Sequence, residues 1–137
     1  MKNVTNLEWE QFLRENPSNN DLLYFIKYTN KNNEAAEELL KRNPTNDDLQ
    51  HIMCRSDSKN IAAIKLLKKN PSNNDLFCII LHADKKDIAW ELLKNRNPSD
   101  DMLKDIVKCT NKNKEAQKML DERDLLPKKI INIIKNR

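Results

Sequence analysis

NPSNNDL, at residues 16–22, returns as NPTNDDL at 43–49, NPSNNDL at 70–76 and NPSDDML at 97–103. Each Asn-Pro pair comes 27 residues after the previous one. The units that align without a gap are 16–42, 43–69, 70–96 and 97–123. Self-similarity at a fixed period of this length is the signature of a stacked repeat architecture. The sequence therefore predicts four tandem repeats.

Each repeated segment has the features of a helix N-terminus. The N-cap candidates are Ser18, Thr45, Ser72 and Ser99. In the first three repeats an Asp three residues later completes a shortened capping box, in which each side chain accepts from the other residue's backbone N–H. The Asn before each proline suits the left-handed end of the preceding helix, and the proline prevents that helix from continuing.

Apolar residues recur at helical spacing, and we call the residues at equivalent repeat positions a column. The first helix has three apolar columns at i, i+3 and i+4, and a column of small residues at i+7. They are Leu22/Leu49/Leu76/Leu103, Phe25/Ile52/Ile79/Ile106, Ile26/Met53/Ile80/Val107 and the small Thr29/Ser56/Ala83/Thr110. The second helix has Ala35/Ala62/Ala89/Ala116 and Leu39/Leu66/Leu93/Leu120. This spacing indicates helices rather than strands, and the Ala columns suit close antiparallel packing. Trp90 takes a position held by a small Ala in two other repeats and is expected to fill a gap.

The ends of the chain continue the same frame as half-repeats, 1–15 and 124–137. Thr5 and Glu8 form a capping box that opens a second-type helix. Ile130, Ile133 and Ile134 fall in the first-helix core columns, which predicts a separate helix over 127–136 with Pro127 in its first turn. The predicted fold is one domain over 1–137, a right-handed α-solenoid of antiparallel helix pairs with about ten helices.

Composition excludes several classes of function. Gly is absent, which argues against phosphate-cradling loops. The net charge of +4 comes from Lys128, Lys129, Lys135 and Arg137, because the rest of the chain has as many bases as acids. Three widely spaced cysteines without a CxxC pair predict a reducing compartment, and no leader or membrane span is evident. We therefore expect a cytoplasmic protein without cofactor or membrane.

The repeated segment, followed by a second helix carrying Ala and Leu, resembles variant leucine-rich repeats and the wider HEAT-like α-solenoids. The resemblance covers nearly the whole chain. Both segments of each repeat are predicted to be helical, which favours a HEAT-like or tetratricopeptide-like stack, although the tetratricopeptide Trp-Leu-Gly-Tyr pattern is absent. The resemblance implies a superhelix that binds other macromolecules. Some HEAT-like relatives are DNA glycosylases, but this sequence does not identify the acidic and aromatic groove residues that they use.

Two columns off the core vary strongly between repeats and form the candidate binding site. They share one helix face because they lie four residues apart. We call the eight residues the stripe: Tyr24, Tyr28, His51, Arg55, Cys78, His82, Asp105 and Cys109. Tyr, His and Arg are side chains that binding surfaces favour. The opposing interpretation is that they are solvated or half-buried residues without a role.

Other candidate sites have weaker support. Cys78 and His82 are two residues of metal-ligand type on one helix, but no second pair completes a zinc site or a nucleophilic centre. The basic column at the ends of the second helices could track phosphates or could complement the helix dipoles. Its members are Arg42, Lys69, Arg96 and Arg123.

The sequence therefore predicts a non-enzymatic protein-interaction module, such as an adaptor, an inhibitor or an immunity-type binder. The alternative is a nucleic-acid-binding solenoid that uses the basic column and the Lys-rich tail. The chain is expected to be a monomer, or a weak homodimer formed through its C-terminal helix.

Overall fold

The computed structural model describes residues 1–136, and at 126 and 127 it describes the backbone. The chain is all-α and is built from consecutive helix pairs, as predicted. The helices within the described residues are α1 Asn6–Arg14, α2 Asn19–Tyr28, α3 Asn32–Lys41, α4 Asn46–Arg55, α5 Lys59–Lys68, α6 Asn73–His82, α7 Lys86–Asn95, α8 Asp100–Cys109 and α9 Asn113–Lys135.

The predicted helix starts are confirmed. Thr5, Ser18, Thr45 and Ser72 each form a complete capping box with the acid three residues later. Ser99 accepts a hydrogen bond from the backbone N–H of Met102, so it caps α8 without an acidic partner. An N-cap of this kind stabilises a helix by about 1 kcal/mol.

The Asn-Pro pairs end the second helices by two different routes. Asn16, Asn70 and Asn97 have left-handed backbone at φ 54°, as predicted for a helix end that lacks Gly. Asn43 does not share this conformation: the residue before it, Arg42, already has extended backbone, whereas the equivalent Lys69 does not. The prolines that follow are all buried (Pro17, Pro44, Pro71 and Pro98).

The separate helix predicted over 127–136 is wrong. The chain continues from α8 into α9, a single helix of 23 residues that runs through Pro127. The reason lies in residues 124–126, which read Asp-Leu-Leu where the repeats have Asn-Pro-Ser or Asn-Pro-Thr. With neither a left-handed Asn nor a hydroxyl N-cap, nothing interrupts the helix after Arg123. Arg137 of the predicted basic tail lies outside the described residues.

The contacts divide the chain into two compact units, Met1–Ala89 and Trp90–Arg137, here called unit 1 and unit 2. In unit 1, α2 packs on α3 and α4 packs on α5, while α4 also lies against the first helices on either side, α2 and α6. In unit 2, α8 packs on α9. The single domain predicted over 1–137 stays a prediction.

The predicted core columns are buried in unit 1 except at Phe25, which is half-buried and stacks on Phe12 with 4.1 Å between the ring centroids. In unit 2, Leu93, Leu103, Ile106 and Ala116 are buried, whereas the predicted core residues Val107, Thr110 and Leu120 are only half-buried. Trp90 is buried as expected, and its indole N–H donates to the carboxylate of Glu115. The core columns assigned to Ile130, Ile133 and Ile134 are wrong, because all three side chains are at least 49% exposed.

Candidate functional site

Pairs of hydrogen bonds join each repeat of unit 1 to the next and fix the helices that carry the stripe. Asn33 Nδ2 donates to Asp57 Oδ2 at 3.0 Å, and the Asp57 backbone N–H donates back to Asn33 Oδ1 at 2.8 Å. Asn60 and Asp84, one repeat later, form the same pair at 2.8 and 2.9 Å. This contact was not predicted from the sequence. The signal was present, since both partners recur 27 residues on.

The turn between the helices of a pair is also built from side chains. Thr29 and Ser56 each donate a hydroxyl to the carbonyl four residues earlier, at 2.8 Å. Each hydroxyl oxygen also accepts the backbone N–H two residues later, at 3.1 and 3.2 Å. At these two positions of the column of small residues, the hydroxyl therefore ends the first helix and positions the second.

The basic column makes contacts inside its own repeats. Arg42 donates to the carbonyl of Pro17 at 2.5 Å, and Lys69 donates to the carbonyl of Pro44 at 2.5 Å. In unit 2, Arg123 donates to Asn97 Oδ1 at 2.9 Å and contacts the Asp100 carboxylate at 2.6 Å. Arg96, the fourth member, is not free either. These three side chains thus tie the end of a second helix back to the Asn-Pro segment that opens the same repeat.

Six of the eight stripe residues lie in unit 1, at equivalent positions of three helices that pack side by side. None of the six is fully buried: Tyr24, Tyr28, Arg55 and His82 are exposed, and His51 and Cys78 are half-buried. The two remaining members, Asp105 and Cys109, lie on α8 in unit 2 and are both exposed. Each stripe residue therefore keeps part of its side chain accessible.

The two tyrosines form the aromatic part of the stripe. Their ring centroids are 5.0 Å apart, and Lys2 donates to Tyr24 Oη at 2.7 Å while its ammonium lies 5.4 Å from the centre of the same ring. The Tyr24 hydroxyl and its ring face thus both contact one cation. A shallow groove runs along this part of α2 and is lined by Asn20, Leu23, Tyr24, Lys27 and Tyr28.

The histidines of the stripe lie among cations. Burial and Lys27 on α2 lower the pKa of His51, and Asp47, 3.7 Å from its Nε2, only partly offsets them. Burial also lowers the pKa of His82, and Lys59 and Lys86 add to the effect. Both imidazoles are therefore neutral at pH 7 and can donate and accept a hydrogen bond.

The environment of Cys78 disfavours its thiolate form. Burial first, then Cys54 and Asp75, raise the pKa of its thiol to about 11. The thiolate is the nucleophile in cysteine chemistry, so a thiol held protonated is poorly suited to that role. His82, four residues away, has a lowered pKa and so does not supply the imidazolium that would reverse this effect.

Two further observations bear on the class of site. Among residues 1–136, no three His, Cys, Asp or Glu side chains come together as metal ligands would. No helix in the described part of the chain has the length and apolarity needed to cross a membrane.

Comparisons with protein-family models, curated proteins and solved structures found no match.

Proposed function

We propose that this chain is a non-enzymatic protein-interaction module that binds one partner protein through the stripe residues of unit 1. One observation carries the proposal. Three first helices of unit 1 pack side by side, and at equivalent positions that are exposed or half-buried they present side chains that change from Tyr to His and Arg, and then to Cys and His. A repeat protein that holds its framework constant and varies one accessible face separates stability from recognition.

The contacts that stabilise the stacked repeats are made by residues outside the stripe. The inter-repeat pairs Asn33–Asp57 and Asn60–Asp84, together with the buried Ala and Leu columns, involve no stripe residue. The stripe can therefore change without loss of the fold. We infer that these repeats serve the same purpose as HEAT-like or variant leucine-rich repeats, which the sequence resembles.

The charges around the stripe favour an acidic partner surface. Lys27 and Arg55 lie near His51, and the Lys2 ammonium contacts Tyr24. A segment that presents carboxylates and an apolar or aromatic side chain would complement these cations and the tyrosine pair. Charge complementarity of this kind mainly sets partner choice and association rate.

The nucleic-acid alternative receives less support. Phosphate binding by the basic column requires side chains that are available to the backbone of DNA or RNA. Arg42, Lys69 and Arg123 are instead bonded within their repeats. Lys59 and Lys86 also donate to helix-end carbonyls, those of Met53 and Ile80, each at 2.8 Å.

The test compares two surface variants of equal size. The first carries Tyr24→Ala, Tyr28→Ala, His51→Ala and Arg55→Ala. The matched control changes four exposed or half-exposed positions on the second helices of unit 1, namely Glu37→Ala, Lys41→Ala, Ile61→Ala and Ile64→Ala. A partner recovered from the native host with the wild-type chain should bind the control and not the stripe variant. Binding by the stripe variant but not by the control would place the site on the second helices.

A further inference from the structure

Residues 2–4, here called the N-terminal segment, are held on the turn that follows α2. The Lys2 backbone N–H donates to the carbonyl of Tyr28 at 2.8 Å, and the Asn30 backbone N–H donates to the carbonyl of Lys2 at 3.1 Å. The side chain of Asn30 accepts from the Val4 backbone N–H at 2.7 Å and donates to the Val4 carbonyl at 3.2 Å. These hydrogen bonds fix the position of the segment beside the first repeat.

The same bonds join successive repeats further along unit 1. Asn32 Nδ2 donates to the carbonyl of Arg55 at 2.6 Å, and the Asp57 backbone N–H donates to Asn33 Oδ1 at 2.8 Å. The positions of Arg55 and Asp57 one period earlier are the two that bond to Lys2. The backbone of Lys2 therefore makes the contacts that an Asn pair of a preceding repeat makes inside the stack.

This placement brings the side chain of Lys2 to the stripe. Its ammonium donates to Tyr24 Oη at 2.7 Å and keeps further N–H donors, because an ammonium has three. Tyr24 lines the groove on α2 together with Leu23, Lys27 and Tyr28. Both tyrosines are exposed, and the other two side chains are half-buried. The α2 groove thus combines apolar and aromatic surface with two lysines.

Neither lysine has an acidic partner. Among the residues that the structure describes, no carboxylate forms an ion pair with Lys2 or Lys27. Asp21, on the same helix, is bonded in the capping box of α2, and Asp47, on α4, lies 3.7 Å from Nε2 of His51. An apolar groove with two such cations is complementary to an apolar side chain that lies next to a carboxylate.

We propose that the α2 groove and Lys2 together bind a segment of the partner protein in which an Asp or Glu carboxylate lies next to an aromatic side chain. The inference rests on the proposed function and adds to it a residue outside the repeats and a ligand chemistry. The aromatic ring packs against Leu23 and Tyr28, and the carboxylate accepts from Lys2 and Lys27. Because Tyr24 already holds the Lys2 ammonium, binding immobilises that side chain at a lower entropic cost.

The distribution of cations favours this ligand over a nucleic-acid strand, which requires positive charge along its whole path. One and two periods after Lys27 the equivalent residues are Cys54 and Leu81. The lysine pair is therefore confined to the first repeat, and a short carboxylate-bearing segment matches its extent.

NMR titration of the isotope-labelled full chain tests the proposal at low ionic strength, where charge pairs are screened least. The probe is hydrocinnamate, which joins a phenyl ring to a carboxylate, and its matched forms are the neutral amide and phenylpropylammonium. We expect hydrocinnamate to bind with a Kd of about 1–10 mM and to shift the backbone amides of Lys2, Tyr24, Lys27 and Tyr28. The amide should bind about tenfold more weakly, and the ammonium more weakly still.

Single substitutions identify the groups that bind the carboxylate. Lys2→Gln and Lys27→Gln should each weaken hydrocinnamate binding by about two- to fivefold and leave binding of the amide unchanged. Lys2→Arg keeps the cation and should bind like the wild type. Lys41→Gln, at an exposed lysine of α3, is the matched control and should change nothing. Unchanged binding of the amide shows that each variant keeps an intact groove.

Several outcomes would overturn the inference. Equal binding of hydrocinnamate and its amide, or shifts only outside the groove, would remove the carboxylate site. Full affinity in Lys2→Gln would exclude the N-terminal segment from the site. Thymidine monophosphate that binds more than about tenfold tighter than hydrocinnamate would assign the groove to nucleic acid.

The titration uses no partner protein, so its result is separate from the test of the proposed function. A partner that binds through the stripe, with no probe bound in the groove, would refute this inference alone. A probe bound in the groove, with a partner that is unaffected by the stripe variant, would refute the proposed function instead.

Discussion

Asn33 and Asp57 bind each other in both directions across a repeat boundary. The amide of Asn33 donates to the carboxylate and accepts from the Asp57 backbone N–H, at 3.0 and 2.8 Å. Because the same pair recurs as Asn60 and Asp84, the register between successive repeats of unit 1 is fixed by polar contacts as well as by packing. This constancy leaves the exposed stripe free to vary.

The first prediction concerns this pair. Asn33→Ala and Asp57→Ala should each lower the free energy of unfolding by roughly 0.5–1.5 kcal/mol, the usual net value of such hydrogen bonds. A double-mutant cycle by urea unfolding should give a coupling energy clearly above zero. Asn74→Ala, at another exposed asparagine, serves as the control and should stay within about ±0.5 kcal/mol. Additive losses at Asn33 and Asp57 would show that the contact contributes nothing.

The local parts of this fold were predictable from the sequence, and the long-range parts were not. The capping boxes at Ser18, Thr45 and Ser72 depend on residues three apart, so the sequence alone identifies them. The Asn33–Asp57 pair spans 24 residues, and its geometry exists only after the repeats stack. The 27-residue period identifies which residues recur, but it does not identify which of them contact each other in the folded chain.

The C-terminal error has a different origin. Matching Ile130 and Ile134 to core columns predicted a new helix, although the Asn-Pro-Ser/Thr segment that starts such helices is absent there. The apolar pattern alone did not start a new helix, because the capping segment was missing, and α9 continues to Lys135.

For the candidate site, the sequence predicted the positions and accessibility of the stripe. It could not predict the cations around His51 and His82, since these come from neighbouring helices.

The second prediction concerns pH. The pKa values of His51 and His82 lie below the ordinary value of 6.5 in the folded chain. As pH falls through 6.5 the unfolded chain binds protons before the folded one does, so the free energy of unfolding decreases. His51→Gln/His82→Gln should show a smaller loss of stability between pH 7 and pH 5 than the wild type, measured by urea unfolding. Identical pH profiles for the two proteins would contradict the lowered values.

The third prediction concerns thiol reactivity. With its pKa raised from 9.0 to about 11, Cys78 should hold about a hundredfold less thiolate than an ordinary thiol at neutral pH. Cys54 and Cys109 are exposed and should react first with iodoacetamide, as followed by mass spectrometry of the intact and digested chain. Urea should abolish the difference. Labelling of Cys78 as fast as Cys54 in the folded chain would reopen a nucleophilic role for Cys78.

The fourth prediction separates protein binding from nucleic-acid binding. Any association with DNA or RNA should be weak, fall steeply with salt and disappear when the tail bases are changed to Gln (Lys128, Lys129, Lys135 and Arg137). Arg42→Gln/Lys69→Gln should leave that association unchanged but lower stability, because both side chains bond within their repeats. Tight, salt-dependent binding that survives the tail change and is lost with Arg42 and Lys69 would reverse the ranking of the two functions.

The most direct measurement is calorimetric titration of the purified partner into the wild-type chain, the stripe variant and the second-helix control, with a thermal melt of each. Each substitution in the stripe variant should cost no more than about 0.5 kcal/mol of stability, whereas Leu66→Ala in the core should cost about 2–5 kcal/mol. We expect the stripe variant to lose binding at an almost unchanged melting temperature, while the control binds like the wild type. Undiminished binding by the stripe variant, or its unfolding, would contradict the assignment of the stripe as the recognition surface.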